Sequence, residues 1–256
     1  MQLSFEQHGS GPAVVMIHGF GGSKAVWQPQ IAEFSRNYRV ITLDLPGHGD
    51  SPRPEGDRHY SPAACAEELH HLLDQLEIEK ATLVGQSMGT VISQMFYLAH
   101  PARVRGLVLN GALAASPPAG VQRGPWVDEI VKRIEARGIC AYMEELVPNY
   151  FSRNPDPALV KAATQEAWKL AQHAAVAYCR AVSGFSIRER LSEIAAPTLL
   201  IVGEQDGRTP VEESERMNRA IPDSWLKIIK GAGHVANLEK PAEFNRAVLA
   251  FIDSVH

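Results

Sequence analysis

Short apolar runs alternate with longer helical stretches along most of this chain, and that alternation limits the possible folds more than any other feature. The runs are Ala13–Ile17, Arg39–Leu43, Ala81–Val84, Gly106–Leu109, Thr198–Val202 and Trp225–Ile229. Most are almost wholly apolar, the pattern of parallel strands covered on both faces by crossover helices. The order predicts an α/β architecture built on a mostly parallel, doubly wound sheet. A further run, Leu3–Gln7, carries polar residues at every second position and fits an exposed edge strand.

The segments between the runs carry helix signals. Ser61-Pro62 reads as an N-cap followed by proline at the first helical position, after which Ala66, Leu69, Leu72, Leu73 and Leu76 recur at helical spacing. Pro241 opens a C-terminal helix whose Phe244, Ala247, Val248, Phe251 and Ile252 share one face.

The alternation stops between Gly111 and about Phe185. Ser116-Pro117-Pro118 leads into helical stretches near Pro125–Ala136, Ile139–Val147, Pro157–Leu170 and Ala171–Ser183, with no strand among them. A chain of 256 residues has room for one α/β domain with an insertion. Residues 1–111 and 188–256 are therefore expected to form the core, and residues 112–187 a helical cap, or lid, over the strands' C-terminal edge.

Charge and cysteine usage narrow the classes of function. Lys and Arg number 25 against 29 Asp and Glu, a net charge of −4 with no basic run, which argues against nucleic acid or anionic membranes as partners. Cys65, Cys140 and Cys179 form no C-x-x-C pair and read as small buried hydrophobes in a reducing, cytoplasmic compartment. The first apolar run is far shorter than the about 18 residues of a membrane span, and no basic segment precedes it. Neither H-E-x-x-H nor a nucleotide-binding glycine pattern occurs, so no metal and no cofactor is implied.

The sharpest local signal is Gly85-Gln86-Ser87-Met88-Gly89, which follows the run Ala81–Val84 and precedes a helical stretch from Val91 to Ala99. A serine at such a strand-to-helix turn sits in a strained conformation, and the flanking glycines leave room for it. Its hydroxyl requires a base, and the base a carboxylate to orient it. Of ten histidines, His234 stands apart, because Gly231-Ala232-Gly233-His234 lies in the loop between the last strand and the final helix. Asp206 follows Thr198–Val202 in the same way, with Glu204 and Asp44 as competing strand-end acids. His18-Gly19-Phe20-Gly21-Gly22, after the run Ala13–Ile17, is a candidate oxyanion loop, with the Phe20 and Met88 amides as donors.

Taken together, these residues resemble the α/β-hydrolase-fold serine hydrolases over nearly the whole chain. His18-Gly19-Phe20-Gly21 resembles that family's H-G-x-G, and Asp44-Leu45-Pro46-Gly47-His48-Gly49-Asp50-Ser51 its D-x-P-G-x-G-x-S. Gly85–Gly89, Gly203-x-x-Asp206-x-x-x-Pro210 and Gly233-His234 match its elbow, acid loop and histidine loop. The family's chain order of serine, acid and histidine favours Asp206 as the acid. The Asp44–Ser51 segment is structural in that family, which leaves His48 outside the site. Small carboxylesterases and the enol-lactone hydrolases of 3-oxoadipate breakdown are the nearest likeness, with Thr90 where they carry a second glycine. The resemblance implies a small-molecule ester or lactone as substrate.

Trp126, Tyr142, Trp168 and Phe185, with Tyr150 and Phe151, are the cap aromatics expected to line an apolar pocket. Few charged residues accompany them, which favours a neutral substrate, while Arg123, Lys132, Arg133 and Arg180 are candidates for holding a carboxylate. Two other readings use the same framework. One is a carbon–carbon bond hydrolase, against which Gln86 stands where those enzymes carry asparagine; the other is a slow, ligand-sensing protein of hydrolase fold. The sequence does not indicate an oligomeric state.

Overall fold

A computed structural model describes residues 1–116 and 125–255. Every apolar run forms a strand. Those strands are β1 (Phe5–His8), β2 (Ala13–Ile17), β3 (Arg39–Leu43), β4 (Ala81–Gln86), β5 (Val104–Asn110), β6 (Thr198–Gly203) and β7 (Ser224–Ile229). They make one seven-stranded sheet in the order β1-β3-β2-β4-β5-β6-β7, in which only β1 runs antiparallel to its neighbour. The first strand starts at Phe5, two residues later than the alternation suggested, and Leu3 before it is buried in the core.

Ten helices complete the described chain: α1 (Gln28–Phe34), α2 (Pro62–Gln75), α3 (Met88–Ala99), α4 (Pro125–Arg137), α5 (Ile139–Leu146), α6 (Pro157–Ala167), α7 (Gln172–Val182), α8 (Val211–Ala220), α9 (Ala236–Glu239) and α10 (Pro241–Val255). The pleat sends alternate strand residues to opposite faces. Val15, Ile17, Leu83 and Leu109 join one apolar cluster with Leu69 and Leu73 of α2 and Val91 and Phe96 of α3. Val14, Met16, Val84 and Val108 join the other, with Phe34 of α1 and Phe244, Val248 and Ile252 of α10. Burying each such side chain stabilises the fold by about 1.5–3 kcal/mol, so the sheet is the rigid axis from which the loops are hung.

Because β2 to β7 are parallel, the loops after β2, β4, β6 and β7 leave from a single edge. Helices α4 to α7 all fall between β5 and β6, and α4 packs against both α5 and α7. The stretch Pro117-Pro118 and Arg123 lie outside the described residues. Among the described residues no helix is long and apolar enough to cross a membrane.

Candidate active site

Ser87 sits between β4 and α3 with φ 52° and ψ −116°, a conformation that costs a non-glycine residue on the order of 1–3 kcal/mol. The surrounding backbone holds it there: the Ser87 amide donates to the Asn110 carbonyl at 2.9 Å, and the Thr90 amide to the Ser87 carbonyl at 2.8 Å. Thr90 also donates its hydroxyl to that carbonyl at 2.6 Å, a contact that a glycine at this position could not make. The flanking glycines are required by space. A Cβ on Gly85 would lie 2.5 Å from the Gly89 carbonyl oxygen, and one on Gly89 would lie 2.2 Å from that of Ile17.

His234 and Asp206 are both buried and meet directly, His234 Nδ1 donating to Asp206 Oδ2 at 2.8 Å. A carboxylate only accepts, so Nδ1 carries the hydrogen and Nε2 is left as the basic nitrogen. Each oxygen of Asp206 has its own task. Oδ1 accepts the Arg208 and Thr209 amides, both at 2.8 Å, and so shapes the loop after β6. Oδ2 takes the imidazole and, at 2.6 Å, the Thr209 hydroxyl. Burial works to raise the Asp206 pKa, but the charge and hydrogen bond of His234, aided by Thr209, hold it below the usual carboxylate range. The His234 backbone is pinned twice, its amide donating to the Tyr150 carbonyl at 2.7 Å and its carbonyl accepting from Gln86 Nε2 at 3.3 Å.

The loop after β2 is tied down on every side except one. Gly22 closes a turn onto the Gly19 carbonyl at 3.0 Å. His18 donates Nδ1–H to that same carbonyl at 2.7 Å while its Nε2 accepts the Leu45 amide at 2.9 Å. His48 Nε2 accepts the Gly21 amide at 3.2 Å. The Phe20 amide takes no part in that turn bond, and Met88 opens α3, where first-turn amides have no intrahelical acceptor. Among the described residues neither amide makes a turn or loop bond to a backbone carbonyl, and both residues line the cavity that Ser87 lines.

Ser87, His234, Phe20 and Met88 all line one cavity of about 130 Å³ beneath the helices between β5 and β6. Trp126 and Tyr142 line it as well, joined by Tyr150. Trp168 does not: it follows α6 at the surface and is 42% exposed. Phe185 is buried but lies outside the lining, in the strap that returns to the sheet, where its carbonyl accepts the Ser116 amide at 2.9 Å. Phe151 is buried outside the lining too, its amide turned onto the Pro148 carbonyl at 3.3 Å.

The basic residues picked out in the sequence are placed elsewhere. Arg133 is bound to Glu145, Arg180 pairs with Asp57 at 3.5 Å and Lys132 is exposed on α4. The charged side chain that does reach the cavity is Arg208, and its only sequence signal was a place two residues beyond Asp206. His48 backs the loop after β2 without lining the cavity. Among the described residues, no three His, Cys, Asp or Glu side chains converge as a metal site.

With fold and site in view, comparison with known proteins defines the class. Residues 12–241 match the alpha/beta hydrolase fold family, and the chain belongs to that family. Among curated relatives, it is 29% identical over 247 residues to 3-oxoadipate enol-lactonase 1 of Acinetobacter baylyi, covering 95% of this chain and 90% of that protein. It is 33% identical over 274 residues to 2-hydroxy-6-oxononadienedioate/2-hydroxy-6-oxononatrienedioate hydrolase 2 of Pseudomonas putida, covering 98% and 92%. Among solved structures, a thermophilic esterase from Thermogutta terrifontis superposes with a TM-score of 0.91 at 28% identity, covering 99% of this chain and 94% of that one.

Proposed function

We propose that this protein hydrolyses a small carboxylic ester or lactone through an acyl-enzyme formed on Ser87. The observation that carries the reading is the 2.8 Å bond from His234 Nδ1 to Asp206 Oδ2, in a cavity that the strained Ser87 also lines. Ser87 Oγ attacks the carbonyl carbon while His234 Nε2 takes its proton. The negative oxygen that results is held by the Phe20 and Met88 amides, each donor of this kind being worth about 2.7–4 kcal/mol in the transition state. The alkoxide leaves with the proton from His234. Water then gives its proton to the same nitrogen as it attacks the acyl carbon, and His234 returns that proton to Ser87 Oγ as the acid is released. Asp206, kept ionised, fixes the imidazole tautomer and balances the imidazolium.

Residues 112–187 act as the lid over this site in the same proposal, and the three free thiols accord with a cytoplasmic setting. The cavity is close to the ~150 Å³ that accommodates benzene in an engineered apolar site, which supports a short or cyclic acyl group over a long chain. The esterase and enol-lactonase names among its relatives support the same bond type.

The deciding comparison is turnover on p-nitrophenyl butyrate, an enol-lactone and a vinylogous diketone, each with wild type and Ser87→Ala. Ester or lactone hydrolysis that vanishes in Ser87→Ala is the expected result. Turnover of the diketone alone would instead make this a carbon–carbon bond hydrolase.

A further inference from the structure

The charge inside the cavity is one-sided. Apart from His234, the only ionisable acid or base of ordinary charge among its described lining residues is Arg208, and no carboxylate lines it. The Arg208 backbone is fixed by its amide bond to Asp206 Oδ1 at 2.8 Å, so its Cα is part of the same loop that orients His234. Its guanidinium lies over the Tyr150 ring, 6.0 Å from the centroid. Burial raises the phenol pKa values of Tyr142 and Tyr150, and the Arg208 charge opposes the rise in both, so its field extends over this part of the cavity.

Among the described residues this guanidinium has no ionic partner. Arginines in the acid loop's surroundings are matched, Arg188 and Arg216 with Glu213, although among the described residues several surface arginines elsewhere make no ion pair. Arg208 also borders a neighbouring cleft that contains Glu212 and Glu213, yet among the described residues no carboxylate stands within ion-pair distance of it. A planar fork of donors held against an aromatic face is suited to a carboxylate, which it can bind with two parallel hydrogen bonds.

We propose that Arg208 is the specificity-determining residue of this site and takes the free carboxylate of an ester or lactone that carries a second acid group. The proposal rests on the hydrolytic reading above and narrows it from neutral esters to acid-bearing ones. Ser87 and His234 work on the scissile carbonyl, and Arg208 sets which molecule is delivered to them.

The test pairs acid-bearing esters with neutral counterparts, using the full chain. In one arm the acid is on the acyl side, as the mono-4-nitrophenyl ester of glutaric acid against 4-nitrophenyl pentanoate. In the other arm it is on the alcohol side, as 4-carboxyphenyl butyrate against its methyl ester. Wild type is expected to favour the acid in at least one arm by about tenfold in kcat/KM, mostly through KM, with the preference shrinking as salt is raised. Arg208→Gln should cut that ratio about tenfold or more, Arg208→Lys should keep part of it, and Arg208→Glu should invert it.

Calorimetric binding of the same esters to Ser87→Ala separates the two claims. If turnover survives in Ser87→Ala, the hydrolytic reading fails while binding still reports on Arg208. Absence of any acid preference in wild type, or an equal ratio in wild type and Arg208→Gln, overturns the role of Arg208.

Discussion

Ser87 shows how much of a site one residue's backbone can dictate. Its positive φ is tolerable only because Gly85 and Gly89 let β4, α3 and the end of β2 close around it. Gly89→Ala is therefore expected to destabilise the fold by about 3 kcal/mol or more, read from urea denaturation, since its Cβ would meet the backbone oxygens of Ile17 and His18. His18 and His48 lead to a pH prediction. Each accepts an amide hydrogen at Nε2, which only the neutral ring can do. Burial lowers the pKa of His18, and burial together with the nearby His18 charge lowers that of His48 well below the ordinary value. Below about pH 6.5 the unfolded chain binds protons that these two rings refuse when folded. Stability is therefore complete above that pH and falls on acidification, by at most about 1.4 kcal/mol per pH unit for each ring. Urea unfolding at pH 7.5 and 5.5 should show the loss, and His48→Asn should flatten it; an unchanged slope counts against this account. Ser87, Asp206 and His234 were legible in the sequence because each follows a recognisable strand. Arg208 was not, because nothing in a linear pattern tells that an exposed side chain on that loop also borders the cavity.

Elements decide how firmly those residues are held. Gly111 follows β5 in a positive-φ conformation, and a Cβ there would lie 2.9 Å from both Cε1 and Nδ1 of His234. Gly111→Ala is expected to push the imidazole aside and lower kcat by about 100-fold, with the fold retained by circular dichroism. The loops after β2 and β3 are clamped together by Lys24, whose ammonium lies 2.7 Å from the buried Asp44 and 2.7 Å from Asp50. Breaking a buried pair leaves a charge without its partner, but Asp44 keeps the Lys24 and Asp50 amides. Lys24→Met should therefore cost about 2 kcal/mol of unfolding free energy, below the full ~3–5 of a wholly buried pair. The strands themselves were readable as apolar runs, since only both-face burial produces such runs. Their ends were less so: β4 continues through Gly85 and Gln86 because these pair with Leu109 and Asn110, a partnership that depends on the neighbouring strand. The pattern through Leu170 likewise suggested a longer α6, whereas the helix ends at Ala167 and the chain turns, with Leu170 still packed in the core.

At the scale of the molecule, the site is a meeting of loops that lie far apart along the chain. Phe20, Ser87, Arg208 and His234 come from four strand ends, and Tyr150 joins them from the helical segment through its hold on the His234 amide. Chain order and fold class were enough to predict the convergence of Phe20, Ser87 and His234, but not that of Arg208. The pocket's lining was not predictable in the same way, because helix packing between β5 and β6 sets the buried Tyr142 and the partly exposed Trp126 along the cavity and leaves Trp168 outside it. On the function proposed above, substrate choice belongs to those helices and to Arg208, and bond cleavage to the sheet edge. The most direct test of that division is covalent trapping: wild type, Ser87→Ala and His234→Ala are treated with a fluorophosphonate, and the adduct is located by peptide mass spectrometry. One adduct on Ser87, slowed by orders of magnitude in His234→Ala and absent from Ser87→Ala, is the predicted result; an adduct on another residue, or labelling of Ser87→Ala at the wild-type rate, would contradict it.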